Sequence, residues 1–76
     1  MKAIDVLTAA KNTFAAYGNE GYVKNKSSQF LMRCGARLED GPNQPIDRDR
    51  VEEVVYAMLD ADSEKLFWEN LEGGSR

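Results

Sequence analysis

The sequence has no histidine and a single cysteine, Cys34, and these absences argue against several kinds of site. Without histidine the chain lacks the commonest neutral metal ligand and the usual general base of enzymes. A lone cysteine cannot form an intramolecular disulfide, and Cys34 has no histidine to activate it as a nucleophile. We therefore expect a non-enzymatic protein without cofactor or metal, in which Cys34 is buried as a small apolar side chain.

Long apolar segments are also absent. No run approaches the roughly 18 residues needed to cross a bilayer, and no continuous apolar segment typical of a signal peptide follows Lys2. Together with the unpaired cysteine, these features predict a cytoplasmic protein without membrane association. The 76 residues suffice for one domain. We place that domain at residues 1–72 and a flexible tail at residues 73–76.

Two helices follow from the spacing of apolar residues. The first covers residues 2–17, where apolar side chains recur every three or four positions and Gly18 supplies a stop. The second, residues 48–61, has the more regular spacing and begins after Asp47, which we expect to be its N-cap. Both patterns predict amphipathic helices with one buried face.

A shorter helix is expected near the end of the chain. Its apolar residues fall within residues 63–72, and either Asp62 or Ser63 is suited to cap its first turn. A loop with two prolines and a glycine, residues 40–45, separates the first half of the chain from the last two helices. The chain is thus predicted to be an all-α or mostly α protein, a compact bundle of three to four short helices.

Residues 18–39, between the first helix and the proline-containing loop, have two possible structures. In the first, a turn at residues 18–21 leads to a short extended piece near residues 22–26 and then to a helix over residues 28–39, with Ser27 or Ser28 as N-cap. In the second, residues 22–34 form a β-hairpin. Gly35 inside a helix would lower the stability of that helix by about 1 kcal/mol relative to alanine. The hairpin therefore remains an alternative. We favour the helix.

Charge divides the sequence into two unlike halves. Residues 1–38 contain six bases and two acids, a balance of +4, whereas residues 39–76 contain four bases and eleven acids, a balance of −7. The two balances add up to the net charge of −3. Such asymmetry indicates charged partners.

Acidic residues on the outer side of the predicted helix over residues 48–61, and beyond it, are the first candidate interaction surface. The helix dipole favours carboxylates in a first turn, but the acids from Asp60 to Glu64 would lie near the carboxyl end of this helix, where cations are preferred. Tyrosine and tryptophan beside such acids are typical of protein interfaces. The candidate partner-binding residues are Asp49, Glu52, Glu53, Tyr56, Asp60, Asp62, Glu64 and Trp68.

A basic patch in the first half is the alternative surface. It comprises Lys24, Lys26, Arg33 and Arg37, with the two arginines expected one helical turn apart. This patch suits a small nucleic-acid-binding regulator. However, the isoelectric point near 4.8 contrasts with the values above about 9 that are usual for nucleic-acid binders. A third interpretation is a self-assembling structural subunit, with a homodimer as its simplest form.

In size, in its lack of catalytic residues and in the acid cluster from Asp47 to Glu72, the chain resembles the small acidic inhibitors encoded by phages and other mobile elements, anti-CRISPR proteins among them. The resemblance includes no sequence motif and transfers no functional residue. It implies a non-catalytic inhibitor or adaptor that covers a basic, nucleic-acid-handling surface of its partner protein, either sterically or as a nucleic-acid mimic.

Overall fold

Four α-helices account for most of the residues that the computed structural model describes, which are residues 1–17 and 20–73. The predicted all-α bundle is confirmed. A short 3-10 helix lies between the second and third helices. The α-helices are α1 (Ala3–Tyr17), α2 (Glu20–Arg33), α3 (Arg48–Met58) and α4 (Ala61–Gly73), and the 3-10 helix is Leu38–Asp40.

Aromatic rings connect three of the helices in the core. Phe30 of α2 packs against Phe14 of α1, with ring centroids 6.4 Å apart, and against Phe67 of α4, at 5.1 Å. Val51 and Val55, on the buried side of α3, complete this core, and both are almost completely inaccessible to solvent. Burial of these apolar side chains is the main stabilising contribution to a domain of this size.

Helix α1 agrees with its prediction apart from its last residue. The expected apolar face, from Ala3 to Phe14, is buried, but Tyr17 is 61% exposed. The loop that precedes α3 covers the first turn of α1. The backbone N–H groups of Ala3 and Ile4 donate to the carbonyl oxygens of Gln44 and Pro42 at 2.8 and 2.9 Å. These bonds satisfy N–H groups that have no acceptor within the helix.

Helix α2 corrects the prediction for the middle of the chain. It begins at Glu20 and ends at Arg33, so the extended piece near residues 22–26 and the β-hairpin are both wrong. Ser27 does not cap a helix, because it lies in the middle of α2 and is completely buried. The predicted turn is only partly testable: residues 18–19 lie outside the described residues, and residues 20–21 belong to α2.

Gly35 ends α2 rather than lying inside it. Its φ of +87° is a left-handed conformation that favours glycine. The N–H of Gly35 donates to the carbonyl of Met32 at 3.0 Å, and the N–H of Ala36 donates to that of Leu31 at 3.2 Å. This pair of bonds is the Schellman arrangement of a helix C-terminus. The predicted helix over residues 28–39 is therefore too long at its carboxyl end.

The boundary between α3 and α4 also differs from the prediction. Asp47 is the N-cap of α3, as expected, and its carboxylate accepts the N–H of Asp49 at 3.0 Å. However, α3 ends at Met58 instead of residue 61, because Leu59 is extended, with φ −118° and ψ 146°. Helix α4 then begins at Ala61 and includes Gly73, the residue at which the tail was predicted to start. Residues 74–76 lie outside the described residues.

Candidate interaction surface

The outer side of α3 presents a group of exposed residues that we call the α3 acidic face: Asp49, Glu52, Glu53 and Tyr56. Val51, Val54 and Val55 bury the opposite side of the helix. At about 100° per residue, the four members of the face point away from these valines. Tyr56 is 84% exposed and lies on the same side of the helix as these carboxylates. The predicted amphipathic division of α3 is therefore present in the structure.

Arg48 binds two of the carboxylates in the acidic half. Its guanidinium lies 3.5 Å from the carboxylate of Glu52, one helical turn away on α3, and 2.9 Å from that of Glu72 on α4. The hydrogen bond to Glu72, followed by the interaction with Glu52, raises the pKa of the guanidinium. Part of the acidic surface is thus neutralised within the chain, which reduces its attraction for an external cation.

Trp68 is held in place by contacts within the chain. The guanidinium of Arg48 lies 4.8 Å from the centre of its ring, and the Phe67 ring packs against it edge-to-face at 5.2 Å. These are the distances of cation–π and aromatic pairing. Trp68 therefore closes the edge of the core between α3 and α4, and it is not brought together with Tyr56 in one aromatic patch.

Two carboxylates of the α3 acidic face remain unpaired in the described part of the chain. Among residues 1–17 and 20–73, the ion pairs within 4 Å join Arg37 to Glu39 and Arg48 to Glu52 and Glu72. Asp49 and Glu53 take part in none of them. Both precede Tyr56, by seven and three positions, which places them on its side of the helix. These two acids and Tyr56 are the part of the α3 acidic face that is free to contact a partner.

The acids from Asp60 to Glu64 occupy a different position from the one predicted. They lie at the amino end of α4 rather than at the carboxyl end of α3, so a helix dipole stabilises them. Asp60 is the N-cap: its carboxylate accepts the backbone N–H of Ser63 at 2.9 Å, and this bond lowers the pKa of Asp60. Neither Asp62 nor Ser63 is the cap. These charges have a structural explanation, which the prediction missed.

The four bases of the alternative patch do not form one surface. Lys26 and Arg33 share a side of α2, whereas Lys24 points to the opposite side, because nine helical positions separate it from Arg33. Arg37 follows the end of the helix and pairs with Glu39 at 3.7 Å, so it does not lie one helical turn from Arg33. The ammonium of Lys26 lies 5.3 Å from the centre of the Tyr22 ring.

Arg50 has a role that the sequence analysis missed. Its Nε donates to the backbone carbonyl of Arg33 at 3.0 Å and thereby connects α3 to the carboxyl end of α2. A cation at a helix C-terminus is favoured by the exposed carbonyls. Arg50 also lies near Cys34, which is buried as predicted. Burial raises the pKa of the Cys34 thiol to about 11, despite the opposing effect of the Arg50 charge.

No group of three or more acidic or cysteine side chains suited to a metal ion occurs among the described residues. None of the helices in this part of the chain is long and apolar enough to span a membrane. No protein-family model, curated protein or solved structure gives a significant match to the chain. The surfaces themselves are therefore the basis for any statement about function.

Proposed function

We propose that this protein is a non-catalytic binding module whose α3 acidic face contacts a basic surface of a partner protein. The observation that carries the proposal is the exposure of Tyr56, 84% of which is accessible on a helix whose other side is fully buried. An aromatic side chain contributes little to the fold in this position. Tyr56 lies on the same side of α3 as Asp49 and Glu53, which have no cation partner among the described residues.

The two kinds of side chain supply different parts of such an interaction. Carboxylates increase the rate of encounter with a basic surface and orient the partner, and salt weakens their effect. A tyrosine supplies a large contact area with little loss of conformational entropy, which is why aromatic residues dominate the binding energy of many interfaces. Tyr56 surrounded by acids thus combines long-range attraction with a short-range contact.

The partner that this chemistry fits is a protein whose basic surface handles nucleic acid. Such a surface is built to hold a row of negative charges, and exposed carboxylates along one side of a helix can occupy it. The module would then act as an inhibitor or adaptor that excludes nucleic acid from the surface, the mode of action implied by the resemblance to anti-CRISPR proteins. Direct binding of nucleic acid is disfavoured by the separation of Lys24 from Lys26 and Arg33.

Competition with DNA for an arginine-rich protein tests this proposal. Protamine is loaded with a fluorescent DNA duplex, and displacement of the duplex by the chain is followed by anisotropy at low and at raised salt. We expect Asp49→Lys/Glu53→Lys to displace DNA at least about tenfold less well than the wild type at low salt. Tyr56→Ala should also weaken displacement, and its effect should persist when salt screens the charges.

A matched control separates the face from the overall charge. Asp40→Lys/Glu69→Lys changes the net charge by the same amount through two exposed acids that are not among the candidate partner-binding residues. The proposal requires this control to displace DNA much better than the α3 variant. Equal losses in the two variants would contradict it, because net charge alone would then explain the binding. Retardation of the free duplex by the wild-type chain would instead support the nucleic-acid-binding alternative.

A further inference from the structure

An apolar surface remains exposed between α1, α2 and the loop that follows them. Met32 and Ile4 are 65% and 42% exposed, although both are large apolar residues. Two hollows lie beside them, of about 120 and 350 Å³, and both contact Leu31. We call this surface the Leu31 patch. Its lining includes Ile4, Leu31, Met32, Arg37, Glu39 and Pro42.

Backbone hydrogen bonds fix the walls of the Leu31 patch. The Pro42 carbonyl accepts the N–H of Ile4 at 2.9 Å, and this bond attaches the loop to the first turn of α1. The side-chain amide of Gln44 donates to the backbone carbonyl of Arg37 at 3.2 Å and thereby connects the two ends of residues 37–44. The patch is therefore a preformed surface, and a partner that docks on it does not have to order the loop first.

The charges on the Leu31 patch favour a copy of itself as the occupant. The lining contains one base and one acid, Arg37 and Glu39, which lie 3.7 Å apart with side chains 71% and 74% exposed. A patch with balanced charge attracts neither a strongly basic nor a strongly acidic partner. Under a twofold axis, however, the same two residues become complementary, because Arg37 of one copy can face Glu39 of the other.

We propose that the chain forms a symmetric dimer through the Leu31 patch. Met32 of each copy packs into the 350 Å³ hollow of the other, and two Arg37–Glu39 pairs close the contact on either side. An interface of ordinary size covers about 800 Å² on each partner, roughly one sixth of the 5049 Å² surface of this chain. Small domains with modest cores commonly gain stability by such association.

The dimer goes beyond the proposed function and does not depend on it. The α3 acidic face shares no residue with the Leu31 patch, so each copy keeps Tyr56 accessible. A dimer would present two acidic faces to a partner with repeated basic sites and would thereby increase its effective affinity.

Sedimentation equilibrium from about 10 to 300 µM chain tests the dimer. The wild type should approach twice the 8.5 kDa of a single chain. Met32→Glu should raise the dissociation constant at least about tenfold, because it places a charge in an apolar contact. Tyr56→Glu is the matched control: it introduces the same residue at an exposed apolar site outside the patch and should leave the dimer intact. Circular dichroism checks that both variants remain helical.

Exchange of the two charges tests the twofold arrangement. Arg37→Glu alone places like charges across the interface and should weaken the dimer, whereas Arg37→Glu/Glu39→Arg should restore it. A wild-type chain that stays monomeric throughout the range would overturn the proposal, as would a Met32→Glu variant that dimerises normally. Failure of the double variant to restore association, or a mass that grows past two copies, would exclude the symmetric contact. Loss of the dimer would remove only the gain in affinity from two faces, and the contact of a single α3 acidic face with protamine would remain.

Discussion

Asp60 and Glu53 are both exposed acids of the same acidic segment, yet the structure gives them different roles. The Asp60 carboxylate accepts the N–H of Ser63 at 2.9 Å and begins α4. Glu53 lies beyond the first turn of α3, on its outer side, and has no ion-pair partner among the described residues. The fold explains the first charge and leaves the second available for binding.

The comparison shows that a run of acids in a sequence is not equivalent to an acidic surface. A carboxylate at the start of a helix satisfies backbone N–H groups and the helix dipole, so it stabilises the protein without any partner. The same carboxylate two turns later has no such effect. The hydrogen bond at the helix start, rather than the number of acids, distinguishes Asp60 from Glu53.

The largest effect expected among these acids is the loss of an N-cap. Asp47→Ala removes the carboxylate that accepts the N–H of Asp49 at the start of α3 and should lower the free energy of unfolding by about 1 kcal/mol. Urea denaturation followed by circular dichroism measures this loss. Glu53→Ala on the same helix should change the free energy of unfolding by less than about 0.5 kcal/mol. Equal losses in the two variants would show that Asp47 stabilises α3 no more than Glu53 does.

The dependence of stability on pH should identify Asp60 as the second structural acid. Its pKa is lowered in the folded state by the hydrogen bond from Ser63. The carboxylate therefore stabilises the fold above its unfolded pKa of about 4, and this contribution is lost as the pH falls through the lower folded value.

The variant Asp60→Asn isolates this contribution, because asparagine caps a helix without titrating. Wild type and variant should melt at similar temperatures at about pH 6. At about pH 3 the melting temperature of the wild type should have fallen further than that of the variant. Glu53→Gln provides the control at a position without a cap. If the wild type and Asp60→Asn responded identically to acid, the structural role of the Asp60 charge would be refuted.

The sequence predicts the amphipathic helices of this fold but not all of their ends. α1 and the start of α3 follow from apolar spacing and from Asp47, because these signals are local. The start of α2 was missed since Ser27, which lies in its buried face, is polar. Val23, Ser27, Phe30 and Cys34 do have helical spacing, and that pattern is visible once a buried serine is allowed.

The end of α2 was missed for a related reason. The prediction has Gly35 inside a helix, where glycine is merely unfavourable. In the structure, Gly35 has a positive φ and ends the helix. Leu31 and Ala36, five positions apart and both buried, are the apolar pair that accompanies such an ending. This spacing is a signal that sequence analysis could have used.

The candidate surface was predictable only in part. The outward position of Glu53 and Tyr56 follows from the periodicity of α3 alone. The contacts of Arg48 with Glu72 and Trp68 join residues at least 20 positions apart, and no local pattern encodes them. For this reason the contacts that hold Trp68 at the edge of the core could not be predicted from the sequence.

Removal of Arg48 should have a smaller effect, visible in the fluorescence of Trp68. Arg48→Ala eliminates the cation over the indole ring and removes the ion pairs with Glu52 and Glu72. We expect the Trp68 emission to shift to longer wavelength as water reaches the ring, with a slight fall in melting temperature. Arg50→Ala, which alters the neighbouring contact to Arg33, should leave the emission unchanged. An unaltered spectrum in Arg48→Ala would show that the arginine does not cover Trp68.

The smallest effect on stability is expected at Glu53 itself. Glu53→Gln keeps the size of the side chain and removes only its charge, so the free energy of unfolding should stay within about 0.5 kcal/mol of the wild type. Displacement of DNA from protamine should nevertheless decline at low salt and approach the wild-type value as salt screens the charge. A loss of stability without a loss of displacement would place Glu53 with Asp60 among the structural acids. Only a change in binding without a change in folding separates the two residues as the structure does.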